Sequence, residues 1–182
     1  MKTRRPQSGF TLIEVLVTFL IIAIGLLGLG ALQLTTMNNS FETYQRALVA
    51  SIVEDMAARI RLNPVGAIQG EYFLTPPSDL DCGAYPANPD SPAPPSQYDL
   101  CEWHALINGT TLASDGTNVD APLGAVGCID PLGGGGAGEL WIRVAVAWVG
   151  ITAQSPTPVE CGANEIEDDA YRRVVFRDVA VR

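Results

Sequence analysis

The sequence predicts an α+β fold: one long N-terminal helix, membrane-spanning in its first half, packed on a small antiparallel sheet with a disulfide-braced loop region. Three observations carry this. From Val15 to Leu32, 18 residues run without a charge, and Thr18 is the only polar side chain among them. As a helix that run covers about 27 Å, close to the thickness of a bilayer core. Directly after it, Phe41, Tyr44, Leu48, Ile52, Met56 and Ile60 recur at steps of three or four, the spacing of one helix face. Near the C-terminus, Leu140 to Val149 and Tyr171 to Val181 alternate and are rich in β-branched and aromatic residues, as strands are.

The helix is expected from Phe10 to Asn63, ended by Pro64 and Gly66, a reach of about 80 Å. Lys2, Arg4 and Arg5 precede the apolar run, which keeps the N-terminus cytoplasmic and places everything after about Thr36 on the opposite side. An ordinary secretory signal cut near Gly28-Leu29-Gly30-Ala31 is the rival. The length of the run, Glu14 at its entry and the unbroken amphipathic continuation speak against it. Gly25, Gly28 and Gly30 weaken the helix by about 1 kcal/mol each and suit close helix–helix contact. Beyond the span, Glu42, Arg46, Glu54, Asp55, Arg59 and Arg61 fall largely off the apolar stripe, so the stripe reads as a packing face for the sheet.

Thr75 to Gln97 holds seven prolines and reads as an irregular surface loop pinned by Cys82 and Cys101. In Asp99 to Ile107, Leu100, Trp103 and Ile107 share a helical face, whereas Trp103, Ala105 and Ile107 share a strand face. A short helix ending near Asn108-Gly109 is preferred. Three strands follow: Ala125 to Ile129, Leu140 to Val149 and Tyr171 to Val181. Leu140, Ile142, Val144, Val146 and Trp148 should face the helix. Gly133 to Gly136 reads as a flexible hairpin connection. Arg172, Arg173 and Arg177 read as a solvated strand face.

The formal charge of −9 disfavours binding to phosphate backbones, so no nucleic-acid partner is expected. The four cysteines, Cys82, Cys101, Cys128 and Cys161, form no CxxC and lie beyond the membrane run, where the compartment should be oxidising. Two disulfides are expected. Of three connectivities the sequential one, Cys82–Cys101 and Cys128–Cys161, is preferred, each contributing about 3 kcal/mol. The spacings are too wide for a zinc site assisted by His104, the single histidine. Asp115 to Asp120 has oxygen ligands in a turn-like segment but lacks the EF-hand pattern. No GxSxG, HExxH, P-loop or dinucleotide fingerprint occurs. A non-enzyme is therefore expected, without catalytic residues, metal or cofactor.

Gly9-Phe10-Thr11-Leu12-Ile13-Glu14, preceded by Arg4-Arg5, resembles the class III signal of type IV prepilins and pseudopilins. The resemblance implies cleavage between Gly9 and Phe10 by a prepilin peptidase, N-methylation of Phe10 and retention of the helix. Loss of Lys2, Arg4 and Arg5 would take the formal charge from −9 to −12. Glu14 lies in the first helical turn, where the helix dipole favours an anion. The resemblance implies that it pairs with a neighbouring subunit's N-terminal amine and sets axial register; snorkelling to the headgroups is the alternative. It also implies that the glycine-bearing stretch can unwind in a filament.

Arg46 to Ser51, Met56 to Pro64, Gly127-Cys128-Ile129, Arg143 to Trp148 and Tyr171 to Val175 resemble the PilV family of type IV pilus minor pilins. The implied organisation is a leader over 1–9, a transmembrane half-helix over 10–34, an amphipathic half-helix over 35–63 and the rest of one periplasmic domain over 64–182. The implied role is to prime pilus assembly near the tip, in adhesion and twitching motility. Implied partners are other minor pilins, the major pilin, the inner-membrane assembly machinery, the lipid bilayer and a tip adhesin. The alternatives are a minor pseudopilin of a type II secretion system and a membrane-anchored periplasmic enzyme or binding protein.

Overall fold

The computed structural model describes residues 9–73, 82, 94–109, 121–136 and 139–182. The basic leader, most of the proline-rich stretch and the Asp115 to Asp120 segment lie outside the described residues. The chain divides into two units, Met1–Phe41 and Glu42–Arg182, and helix α1 (Leu12–Leu62) contributes to both.

In the first unit the helix presents its apolar side chains outward. Leu12, Phe19, Ile21, Leu27, Leu32 and Met37 are all exposed. Among the described residues, α1 is the one helix long and apolar enough to cross a membrane. Its hydroxyls are satisfied internally: Thr18, Thr35 and Thr36 donate to the carbonyls of Val15, Ala31 and Leu32. For Thr18, inside the apolar run, such back-bonding would remove a desolvation cost in lipid.

In the second unit, α1 buries Gln45, Val49, Ile52, Val53, Met56, Ala57 and Ile60. This face is rotated from the expected stripe: Tyr44, and Phe41 just before the unit, are exposed. Asn63 then caps a short helix, α2 (Pro64–Ile68), accepting at Oδ1 from the Gly66 amide. Pro64 therefore not only ends α1 but opens a further turn, since proline at a first helical position costs no hydrogen bond. Helix α3 (Pro95–Asn108) starts four residues before the expected Asp99, again with proline in its first turn, and ends on Gly109 at φ 63°. Leu100, Trp103 and Ile107 are buried together, as the helical reading required.

The sheet is antiparallel in the order β1-β2-β3, with β1 Val126–Gly136, β2 Glu139–Val149 and β3 Arg172–Val181. β1 is longer than the expected Ala125 to Ile129. The glycine run is not simply a connection: Gly133 pairs with Trp141 and Gly136 with Glu139, with register shifts between. Glycine has little strand preference of its own, so β2 imposes this pairing.

Even-numbered β2 residues face the helices. Ile142, Val144, Val146 and Trp148 join Val49, Met56, Ile60, Trp103, Ile107 and Val179 in one core. Trp103 donates from Nε1 to the Ile52 carbonyl at 3.0 Å, tying α3 to α1. The opposite sheet face carries a smaller cluster of Cys128, Ala145, Ala147, Cys161 and Ile166. Both disulfides, Cys82–Cys101 and Cys128–Cys161, are present, and the second fastens the loop after β2 over this face.

Candidate processing and assembly site

The N-terminal segment is built around a helix start. Gly9, Phe10 and Thr11 precede α1, and all three are exposed. The Thr11 carbonyl accepts from the amides of Glu14 (3.2 Å) and Val15 (3.4 Å), and its Oγ1 accepts from the Glu14 amide at 3.4 Å. Thr11 is thus the N-cap and Glu14 stands three residues on, the Thr-x-x-Glu arrangement that starts helices. This spacing is legible in the sequence as a capping pattern before an apolar run.

Among the described residues, nothing would lie within 4 Å of a Cβ at Gly9. Packing against the described residues does not call for glycine there. The same holds for Gly25, Gly28 and Gly30, where an added Cβ meets open space.

A second polar constellation joins α1, β3 and the turn after β2. Glu42 Oε1 accepts from the Ile151 amide (3.0 Å), the Thr152 amide (3.0 Å) and Thr152 Oγ1 (2.9 Å). Arg173 Nη2 lies 3.6 Å from the same oxygen and donates to the Thr152 carbonyl. Burial pushes the Glu42 carboxyl up, but the bonds from Thr152 and Ile151 and the Arg173 charge together hold it below the ordinary carboxylate range.

Arg172 reaches the other side of the sheet. Its guanidinium donates to the carbonyls of Val159, Cys161 and Thr157 and to Asp169. Arg172 and Arg173 are 4% and 8% exposed, which corrects the solvated-face reading for both. Each is buried because it serves backbone carbonyls and a carboxylate that lie elsewhere in the sequence. Arg177 does face solvent, 3.5 Å from Glu54.

A third constellation links the helices. Arg59 donates to Asp55, Asp99 and Glu102. Tyr72 donates to Asp99 at 2.6 Å and accepts from Asn63. Burial, and then the bond to Asp99, push the Tyr72 hydroxyl well above its ordinary range. These groups serve one another and resemble structural clamps.

His104 sits on α3, its Nε2 3.0 Å from Asn108 Nδ2. Among the described residues no group of three or more His, Cys, Asp or Glu is placed to hold a metal ion, and every cysteine is disulfide-bonded.

Residues 4–30 match the family model of the prokaryotic N-terminal methylation motif. No curated protein and no solved structure matches the chain. The matched segment covers Arg4, Arg5, Gly9, Phe10, the Thr11 cap, Glu14 and most of the apolar run. Joined to an α+β fold with a long N-terminal helix, it supports a type IV pilin- or pseudopilin-like protein. The motif suggests a structural protein, implies processing by a prepilin peptidase, and goes with membrane anchoring and pilus association.

Proposed function

We propose that the chain is a minor pilin of a type IV pilus, of the PilV family, which primes assembly and sits at or near the tip with other minor pilins. The observation that carries this reading is the Gly9 to Glu14 motif at the head of an outward-facing apolar helix that continues into a disulfide-braced α+β unit. The segments that resemble the PilV family also hold much of the core: Val49, Met56, Ile60, Ile129, Val144, Val146 and Trp148 are buried. In this reading residues 1–9 are removed, 10–34 anchor the stored subunit in the inner membrane with its N-terminus cytoplasmic, and 35–182 stand in the periplasm. Glu14 then answers the freed amine of a neighbouring subunit's Phe10 and fixes axial register, a role in which a paired buried charge adds specificity more than stability.

The test is mass analysis of the mature N-terminus. Lys2 is the chain's single lysine, so a chain processed after Gly9 keeps one amine, that of Phe10, and amine-specific labelling reads it directly. A chain beginning at N-methylated Phe10 is expected; one beginning near Leu32 overturns the reading. Deletion should abolish twitching and leave secretion intact, and the reverse result would assign the chain to a secretion system.

A further inference from the structure

Cleavage between Gly9 and Phe10 gives no task to Thr11, and the geometry supplies one. Helix α1 begins at Leu12, one residue past Thr11, so the Gly9–Phe10 bond lies wholly outside it. The boundary is held by Thr11, whose carbonyl and Oγ1 both accept from the Glu14 amide. Without that side-chain oxygen the orphan amides of the first turn lose a partner, and the turn can instead be served by one more residue of helix upstream. Phe10 and Gly9 are the next to be drawn in. A peptide bond inside a helix commits its carbonyl and amide to neighbouring turns, whereas hydrolysis needs both to be reachable. Independently, among the described residues nothing lies within 4 Å of the Cβ position of Gly9, as expected of a bond presented to something outside the chain.

We propose that Thr11 is a positioning residue for processing: it stops the helix immediately after the scissile bond and so keeps Gly9–Phe10 available to the peptidase. This rests on the reading that the bond is cleaved. In that step water adds across the amide. The Gly9 carbonyl carbon takes the water oxygen, the carbon–nitrogen bond breaks, and both protons of the water end on the Phe10 nitrogen, leaving a carboxylate and an ammonium group. Thr11 touches none of the reacting atoms.

The experiment uses the full chain in membrane vesicles with a prepilin peptidase, and follows leader loss by mass for the unaltered chain and for Thr11→Val, Thr11→Ser and Thr11→Asn. Valine keeps the shape and removes the cap, which shifts the helix end by about fivefold. Because only the conformer with the Gly9–Phe10 bond outside the helix binds, apparent KM should rise, by at most about fivefold, while kcat is retained. Serine and asparagine, both good caps, should restore the original KM. Equal KM for all four chains, with cleavage intact, overturns the proposal and leaves the cleavage reading standing. Rescue by serine but not asparagine also overturns it, since the hydroxyl then contacts the peptidase itself. Failure of the unaltered chain to be cut at Gly9–Phe10 sinks the cleavage reading and the proposal with it.

Discussion

Replacing Glu42 by Gln keeps the shape of the side chain and removes its charge, which isolates the electrostatic part of its hold on the turn after β2. In the native arrangement one carboxylate oxygen accepts three bonds, from Ile151 N, Thr152 N and Thr152 Oγ1, at 2.9–3.0 Å. Bonds to a charged acceptor are worth about 1.5–3 kcal/mol each against about 1 for a neutral one; at the low end of that range, which suits a partly solvated carboxylate, the three together lose roughly 1.5–2 kcal/mol. The ion pair to Arg173 adds a screened contribution of about 0.5–1 kcal/mol, because Glu42 is partly solvated. A loss of about 2–3 kcal/mol at pH 7 is expected. Trp103, Trp141 and Trp148 all belong to the unit Glu42–Arg182, so tryptophan fluorescence during urea unfolding in detergent reports that unit alone. The pH dependence gives a second check. The folded carboxyl titrates below its unfolded value, near 4.3, so its contribution is present above that value and is lost as pH falls through the folded one. The deficit of Glu42→Gln should therefore shrink at pH 3. A deficit under about 0.5 kcal/mol at pH 7, or one unchanged at pH 3, would refute the reasoning.

Three other outcomes are expected. Gly127→Ala places a methyl 2.6 Å from Ile107 Cδ1 and Trp103 Cη2, and should cost about 1–3 kcal/mol in the same unfolding assay. Replacing both Cys128 and Cys161 by Ser opens a crosslink of 33 residues and should lower stability by about 3–4 kcal/mol; a crosslink that only decorates the surface would leave the midpoint unmoved. Arg172→Lys retains the charge but cannot reach the carbonyls of Val159, Cys161 and Thr157 at once. It should cost about 2 kcal/mol and speed amide exchange between Thr157 and Ala170, which a surface arginine would not do.

The helix and the central strand were legible because their signals are periodic and local. Eighteen uncharged residues allow few alternatives to a membrane-length helix, and the alternation of Leu140 to Trp148 survives as the inner face of β2. The losses have a common physical cause: partners distant in sequence. Arg172 and Arg173 look like a charged surface until the carbonyls of residues 157–161 and the carboxylate of Glu42 are brought to them. The glycine run of β1 has no strand signal of its own and is ordered by its neighbour. The stripe on α1 was displaced by a few residues because the apolar side chains Phe41 and Tyr44 remain exposed while Gln45 is buried, its amide oxygen accepting from Leu123. At the N-terminus the motif was plain as a string of residues, but the geometric role of Thr11 needed the helix boundary to be seen.

The alternation of a strand gives Arg172 and Arg173 a mechanical meaning. Two consecutive side chains leave the same stretch of backbone on opposite faces, one gripping the loop bound by Cys161 and the other facing Glu42 across the Thr152 turn. Tension applied along α1 at Glu42 enters β3 at its first residues and meets, one peptide away, a loop that the Cys128–Cys161 crosslink ties to β1. Ladder pairing then joins β3 to β2 and β2 to β1, so the two arginines and the crosslink connect α1, the loop and all three strands.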